Sequence, residues 1–171
     1  MTILLQSLPI LLFPLVTALN AGQAPAQKDE LLRGIKQLAV VVDKMDAADA
    51  KCGITEDNVR AAASKALADN SLTVSAARQD FQPFLYIRTT SLHTSDGQCV
   101  SHILTTIRAY VAPPHFAWTP EQPASSVVEI VLQEQGGLVY SPDAAAHPQA
   151  TLSAVGRYVG RFATSIKAAN K

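Results

Sequence analysis

Two runs, Phe84 to His93 (FLYIRTTSLH) and Cys99 to Val111 (CVSHILTTIRAYV), flank a turn segment that contains Asp96-Gly97. Both are rich in β-branched and aromatic residues, which fit a pleated, half-buried surface. Asp-Gly tolerates the positive φ angles of a type I′ turn, so the pair predicts an antiparallel hairpin. With Asp96-Gly97 as the whole loop, Ser95 faces Gln98 and Thr94 faces Cys99. That register predicts a core-facing side carrying Phe84, Tyr86, Leu92, Cys99, Ile103, Ile107, Ala109 and Val111. The other side carries Leu85, Ile87, His93, Val100, His102, Leu104, Arg108 and Tyr110. A loop longer by one residue breaks this assignment, because a one-residue slip turns every side chain to the opposite face.

The remaining segments must cover that hairpin. Ile35 to Val42 (IKQLAVVV) reads as a buried strand, and Thr55 offers an N-cap hydroxyl with Glu56 and Asp57 in the first turn behind it. Val59, Ala62, Ala63, Ala66 and Leu67 recur at helical spacing as far as Asn70. Ala112 to Ser125 (APPHFAWTPEQPAS) is a proline-rich loop, since proline is confined to edges and turns. Val127 to Leu132 resumes as a strand, Gly136-Gly137 marks a turn, and Leu138 to Tyr140 pairs back briefly. Gln149 to Ala169 closes the chain as an amphipathic helix with Leu152, Val155, Val159, Phe162 and Ile166 on one stripe. Gly156 and Gly160 within it are spaced for a close approach by a neighbouring element. The order predicts an α+β two-layer sandwich: an antiparallel sheet of about four strands with two helices on one face.

The chain contains two cysteines. Cys52 precedes the first helix and Cys99 lies on the core-facing side of the second hairpin strand, so a helix packed on that face brings the sulfurs together. In an exported protein such a pair predicts a disulfide, contributing about 4 kcal/mol on the chain-entropy model. Export itself is predicted by Ile3 to Val16 (ILLQSLPILLFPLV), an uncharged apolar run followed by small residues. This run is short for a bilayer span and is interrupted by Gln6, Ser7, Pro9 and Pro14. The expectation is a signal peptide over 1–26 and a single domain over 27–171, exported to the periplasm or the extracellular space without a stable membrane span. Fourteen basic and fourteen acidic residues balance, which argues against nucleic-acid binding driven by net charge.

Cys52 to Val59 (CGITEDNV), Phe84 to Ile87 (FLYI) and a C-terminal helix with Phe162 ending in Ala169-Asn170-Lys171 resemble a group of small bacterial exported proteins. Those share a CGLT-type helix start, an LYV-type strand and a terminal helix ending near Asn. The resemblance covers Lys51 to Val111 and the last helix, and departs in the proline-rich loop. It implies secretion and an α+β fold, and no activity travels with it.

Catalytic motifs are missing: there is no G-x-S-x-G, H-E-x-x-H, P-loop or dinucleotide glycine pattern. Under the register above, His93 and His102 share a face and could begin a two-ligand metal site, but no third ligand is identifiable and the expected reading is surface histidines. Asp43, Asp46 and Asp49 lack the alternation of a calcium loop and read as a solvated turn. No cofactor is expected. Two surfaces remain as partner-binding candidates. Phe116 and Trp118 stand in the proline-stiffened loop, where packing on the core competes with exposure. Arg157 and Arg161 lie one turn apart on the last helix, where cations also complement the helix dipole. The functional expectation is a non-catalytic exported protein that binds a protein or small ligand in the cell envelope. The alternative is an exported hydrolase whose site the sequence does not reveal.

Overall fold

The computed structural model describes residues 30–111, 127–141 and 143–171. Five strands, β1 (Gln37–Val42), β2 (Thr73–Ser75), β3 (Phe84–His93), β4 (Cys99–Val111) and β5 (Val128–Ser141), form one sheet in the order β2-β1-β3-β4-β5. Three helices accompany them: α1 (Ala47–Lys51), α2 (Glu56–Asp69) and α3 (His147–Ala169), besides one helical turn over 30–32. β1 runs parallel to both β2 and β3, while β3, β4 and β5 are antiparallel. The fold is α+β as expected, but the sheet is mixed and has five strands among the described residues. The parallel pairs arise because α1 and α2 carry the chain back over the sheet between β1 and β2.

The hairpin register differs from the sequence expectation by one residue. Thr94 N–H donates to Gln98 O at 2.9 Å and His93 pairs with Cys99, leaving Ser95, Asp96 and Gly97 as a three-residue loop. Only Gly97 in this loop has positive φ, at +83°, whereas a type I′ turn needs two such residues. Thr94 Oγ1 accepts from Gln98 N–H at 2.9 Å, which favours the longer loop. The consequence is an inverted β3. Leu85, Ile87, Thr89 and Ser91 face the helices together with Cys99, Ser101, Ile103, Thr105 and Ile107 of β4. Phe84 and Tyr86 turn to the outer face.

The core is therefore built from Leu38, Val40 and Val42 of β1, Leu85 and Ile87 of β3, Ile103 and Ile107 of β4, and the apolar stripes of α2 and α3. Val59, Ala63 and Leu67 of α2 and Val155, Val159, Phe162 and Ile166 of α3 are all fully enclosed. Thr55 Oγ1 caps α2 by accepting from Asn58 N–H at 3.3 Å. Asn170 finishes α3 by tying it to the segment before β1: its Oδ1 accepts from Gly34 N–H at 2.8 Å.

Two glycine readings are corrected. Gly136-Gly137 is not a turn; β5 continues straight through it along the whole of β4. A Cβ on Gly136 would stand 2.7 Å from Ile103 O, and one on Gly137 would stand 2.5 Å from Tyr158 Oη, so these glycines admit neighbours rather than reverse the chain. Gly156 has open space around it, with no close neighbour to accommodate.

The outer face of the sheet is covered unevenly. At one end Arg78, from the β2–β3 connection, lies over the rings of Phe84 and Tyr110, and Phe84 is 2% exposed. At the hairpin end Leu92, Leu138 and Tyr140 are 63%, 73% and 57% exposed. No described helix is long and apolar enough to cross a membrane.

Candidate functional site

The first concentration of chemistry is internal. Asp46 caps α1 by accepting from Ala48 N–H and Asp49 N–H, and Asp49 Oδ2 accepts from Asp46 N–H at 3.1 Å, completing a capping box. The box fixes Asp49 with its other oxygen pointing at the sheet, where Ser91 Oγ donates to it at 2.6 Å. Ser91 Oγ lies 2.7 Å from Ser101 Oγ, and Ser101 Oγ lies 2.8 Å from His147 Nε2. Thr151, one turn along α3, approaches the same nitrogen at 3.3 Å. Asp49 is 1% exposed and Ser101, His147 and Thr151 are fully buried. The solvated turn expected around Asp49 is thus a helix start whose second acid is sealed inside the fold.

Donor counting gives the chain a direction. The Ser91 proton is committed to Asp49, so Ser101 donates to Ser91, and His147 Nε2–H donates to Ser101. His147 then carries its proton on Nε2, and Nδ1 is left as a buried acceptor without a partner. Burial pushes the His147 imidazolium below its ordinary range, which keeps the ring neutral. Such a chain does not make a serine nucleophile. A general base must accept the hydroxyl proton, whereas here the imidazole donates to the serine, and both groups are closed to solvent.

The disulfide pair flanks this chain. Cys52 and Cys99 have sulfurs 2.10 Å apart with Cα atoms separated by 5.8 Å. Cys52 caps the C-terminus of α1, three residues after Asp49, and Cys99 is two residues before Ser101 on the same face of β4. Bridge and hydrogen-bond chain therefore fasten α1 to the hairpin side by side.

His93 and His102 are not brought together. His102 faces outward opposite Thr90, while His93 pairs with Cys99, whose side chain points to the helices. Among the described residues no three metal-ligating side chains cluster. The residues Phe116 and Trp118, and the 1–26 segment, lie outside the described residues.

Arg157 and Arg161 are exposed on α3 and border two surface depressions. A groove of about 720 Å³ runs between α2 and α3, floored by Ala62, Ala66, Leu152 and Gly156 and edged by Lys65, Asp69 and Arg157. Arg157 also borders a neighbouring depression shared with Gly160, Arg161 and Thr164. Lys65 is paired with Asp69 at 2.7 Å, but neither arginine forms an ion pair among the described residues. No acid occurs anywhere on α3. The groove had no sequence signature beyond the small residues Ala62, Ala66 and Gly156 and the two arginines.

No protein-family model and no curated protein sequence matches the chain. Among solved structures, a minor lipoprotein from Acinetobacter baumannii aligns at 10% identity and a TM-score of 0.33, over 78% of this chain and 94% of its own. At that similarity no residue or role is carried across.

Proposed function

We propose that this chain is a small exported, non-catalytic protein that binds an acidic protein or small-molecule partner in the cell envelope. The observation that carries the reading is the groove between α2 and α3, whose apolar floor is bordered by Arg157 with Arg161 one turn beyond. Two guanidiniums free of ion pairs among the described residues, on a helix without acids, suit a carboxylate or phosphate partner, because arginine offers a planar fork of donors. Export is supported by the apolar run at Ile3 to Val16 and by cysteines held at bonding distance, since disulfides persist in oxidising compartments. Phe116 and Trp118 are proposed as additional contacts on sequence grounds.

The test is capture from envelope extract on immobilised protein, comparing the wild type with the double variant Arg157→Glu/Arg161→Glu. A partner held by the wild type, released by raised salt and not retained by the variant supports the reading. Equal capture by both proteins removes the groove from it.

A further inference from the structure

The disulfide and the internal hydrogen-bond chain share one cover, the first turn of α3, at a place separate from the groove. Pro148, the residue after His147, lies so close to Gly53, the residue after Cys52, that a Cβ on Gly53 would stand 2.8 Å from Pro148 Cγ. On the other side Cys99 pairs with Ser141 at the end of β5, from which a short connection leads into α3. The first turn of α3 therefore stands beside the bridge, and both cysteines are buried. That turn is weakly anchored in its own right. Ala146 provides no side-chain cap, and no acid occupies the first turn. Its polar tie to the sheet is the contact of His147 Nε2 with Ser101 Oγ at 2.8 Å.

The tie suits only a neutral ring. A second proton would go to Nδ1, which is sealed in the interior without a partner among the described residues, so it would create a buried donor with no acceptor. The imidazolium would also stand at the N-terminus of a 23-residue helix, where the unpaired N–H groups already carry positive charge and oppose a cation. The charged or titratable groups on the surrounding elements offer little relief. α1 brings Asp46, Asp49 and Lys51, α2 brings Glu56 and Asp57 in its first turn, β3 ends in His93, and Asp143 lies in the connection before α3, while β4 and β5 present none on the helix side here. All of these are exposed except Asp49, which reaches His147 only through two serine hydroxyls. Burial accordingly holds the imidazolium below its ordinary range.

We infer that the first turn of α3 is an acid-released latch over the Cys52–Cys99 bridge. When His147 takes up a proton, the ring and that turn leave the sheet, and the disulfide becomes accessible to a reductant while α2 and the centre of the sheet stay folded. An uncapped helix end is the kind of element that opens locally, at a cost below that of global unfolding. A return to neutral pH closes the latch, because the neutral ring regains Ser101 as its acceptor.

The test compares the wild-type chain with His147→Gln, whose amide N–H still donates to Ser101 and takes up no proton. Each is treated at about pH 5 and at about pH 7.5, either side of the ordinary histidine range, with a water-soluble phosphine. The phosphine converts the bridge to two thiols as it takes an oxygen from water to become the phosphine oxide. Its own pH response cancels in the ratio of the two rates. The wild-type-to-variant ratio should rise about tenfold or more on going to the lower pH, because each unit below the free-histidine value near about 6.5 favours the open state by about tenfold. Hydrogen exchange on the wild type, referred to intrinsic rates, gives a second readout should the variant fail to fold. Residues 47–51 and 147–151 should lose protection at the lower pH, while 59–67 and 103–107 keep theirs. A ratio of reduction rates that does not change with pH overturns the latch. Equal loss of protection in all of these segments overturns it too, because acid then acts on the whole fold.

Discussion

Asp49 Oδ1 and His147 Nε2 are the two ends of one unbroken hydrogen-bond chain that passes only through the hydroxyls of Ser91 and Ser101. Each member comes from a different element: α1, β3, β4 and α3. The chain thereby fixes the short helix α1 and the first turn of α3 to the turn end of the hairpin, and removing a member takes a partner from a buried polar group.

Ser101→Ala is expected to destabilise the fold by breaking the middle of this hydrogen-bond chain. It removes the nearer acceptor of the His147 Nε2–H, leaving Thr151 Oγ1 at 3.3 Å, and leaves Ser91 without a donor. The expected loss is about 1–3 kcal/mol, the cost of stranding a buried polar group. Urea denaturation of wild type and variant measures it, and an unchanged midpoint contradicts the assignment of this chain as a structural tie.

His147 also gives stability a pH dependence whose sign is fixed. Its folded pKa is lowered by burial, so the unfolded chain takes up the proton first as pH falls. Full stability is present above the unfolded value near about 6.5 and declines below it, by at most about 1.4 kcal/mol per pH unit. Unfolding free energies measured between pH 7.5 and about pH 5 should fall in the wild type and stay flatter in His147→Gln, a window set by the histidine's ordinary range. Parallel profiles would assign the dependence to other groups.

The cysteine pair makes a prediction of its own. Cys52 and Cys99 enclose a sequence separation of 47 residues, for which loop-closure entropy contributes about 4 kcal/mol. Both should resist alkylation in the native protein until a reductant is added, and reduction should lower the thermal midpoint. Two thiols that alkylate in the untreated native protein contradict the bridge.

Gly156→Ala should stabilise the protein. The glycine is inside α3, and an added Cβ finds nothing within 4 Å. The gain expected from helix propensity is about 1 kcal/mol. Gly136→Ala should do the reverse, because its Cβ would meet the backbone oxygen of Ile103, which has no freedom to move aside. Thermal denaturation of the two variants should bracket the wild type.

What could be read from the sequence depended on whether the signal was local. The Thr55 cap, the stop at Asn70, the stripe of α3 and the pairing of β3 with β4 are all written within a few residues, and each is found. The pairing of Cys52 with Cys99 needed only that a helix pack on the Cys99 side of the hairpin. The facing of β3 was missed because it depended on a single residue of loop length, decided by Thr94 closing on Gln98. That inversion alone moved His93 away from His102 and placed Ser91 beside Ser101 and Asp49. β2 has three residues and α1 has five, too few to show a period, and without β2 the parallel arrangement was invisible. The Gly136-Gly137 pair read as a turn because a close approach by Ile103 O and Tyr158 cannot be seen along one chain.

The central claim, that the α2–α3 face is where a partner binds, is tested most directly by amide hydrogen exchange with and without the envelope partner captured by the wild type. The account predicts added protection over Asn58 to Asn70 and Gln149 to Ser165, and none at the β5 edge beyond that of the free protein. Protection confined to other segments, with α2 and α3 exchanging as in the free chain, would contradict it.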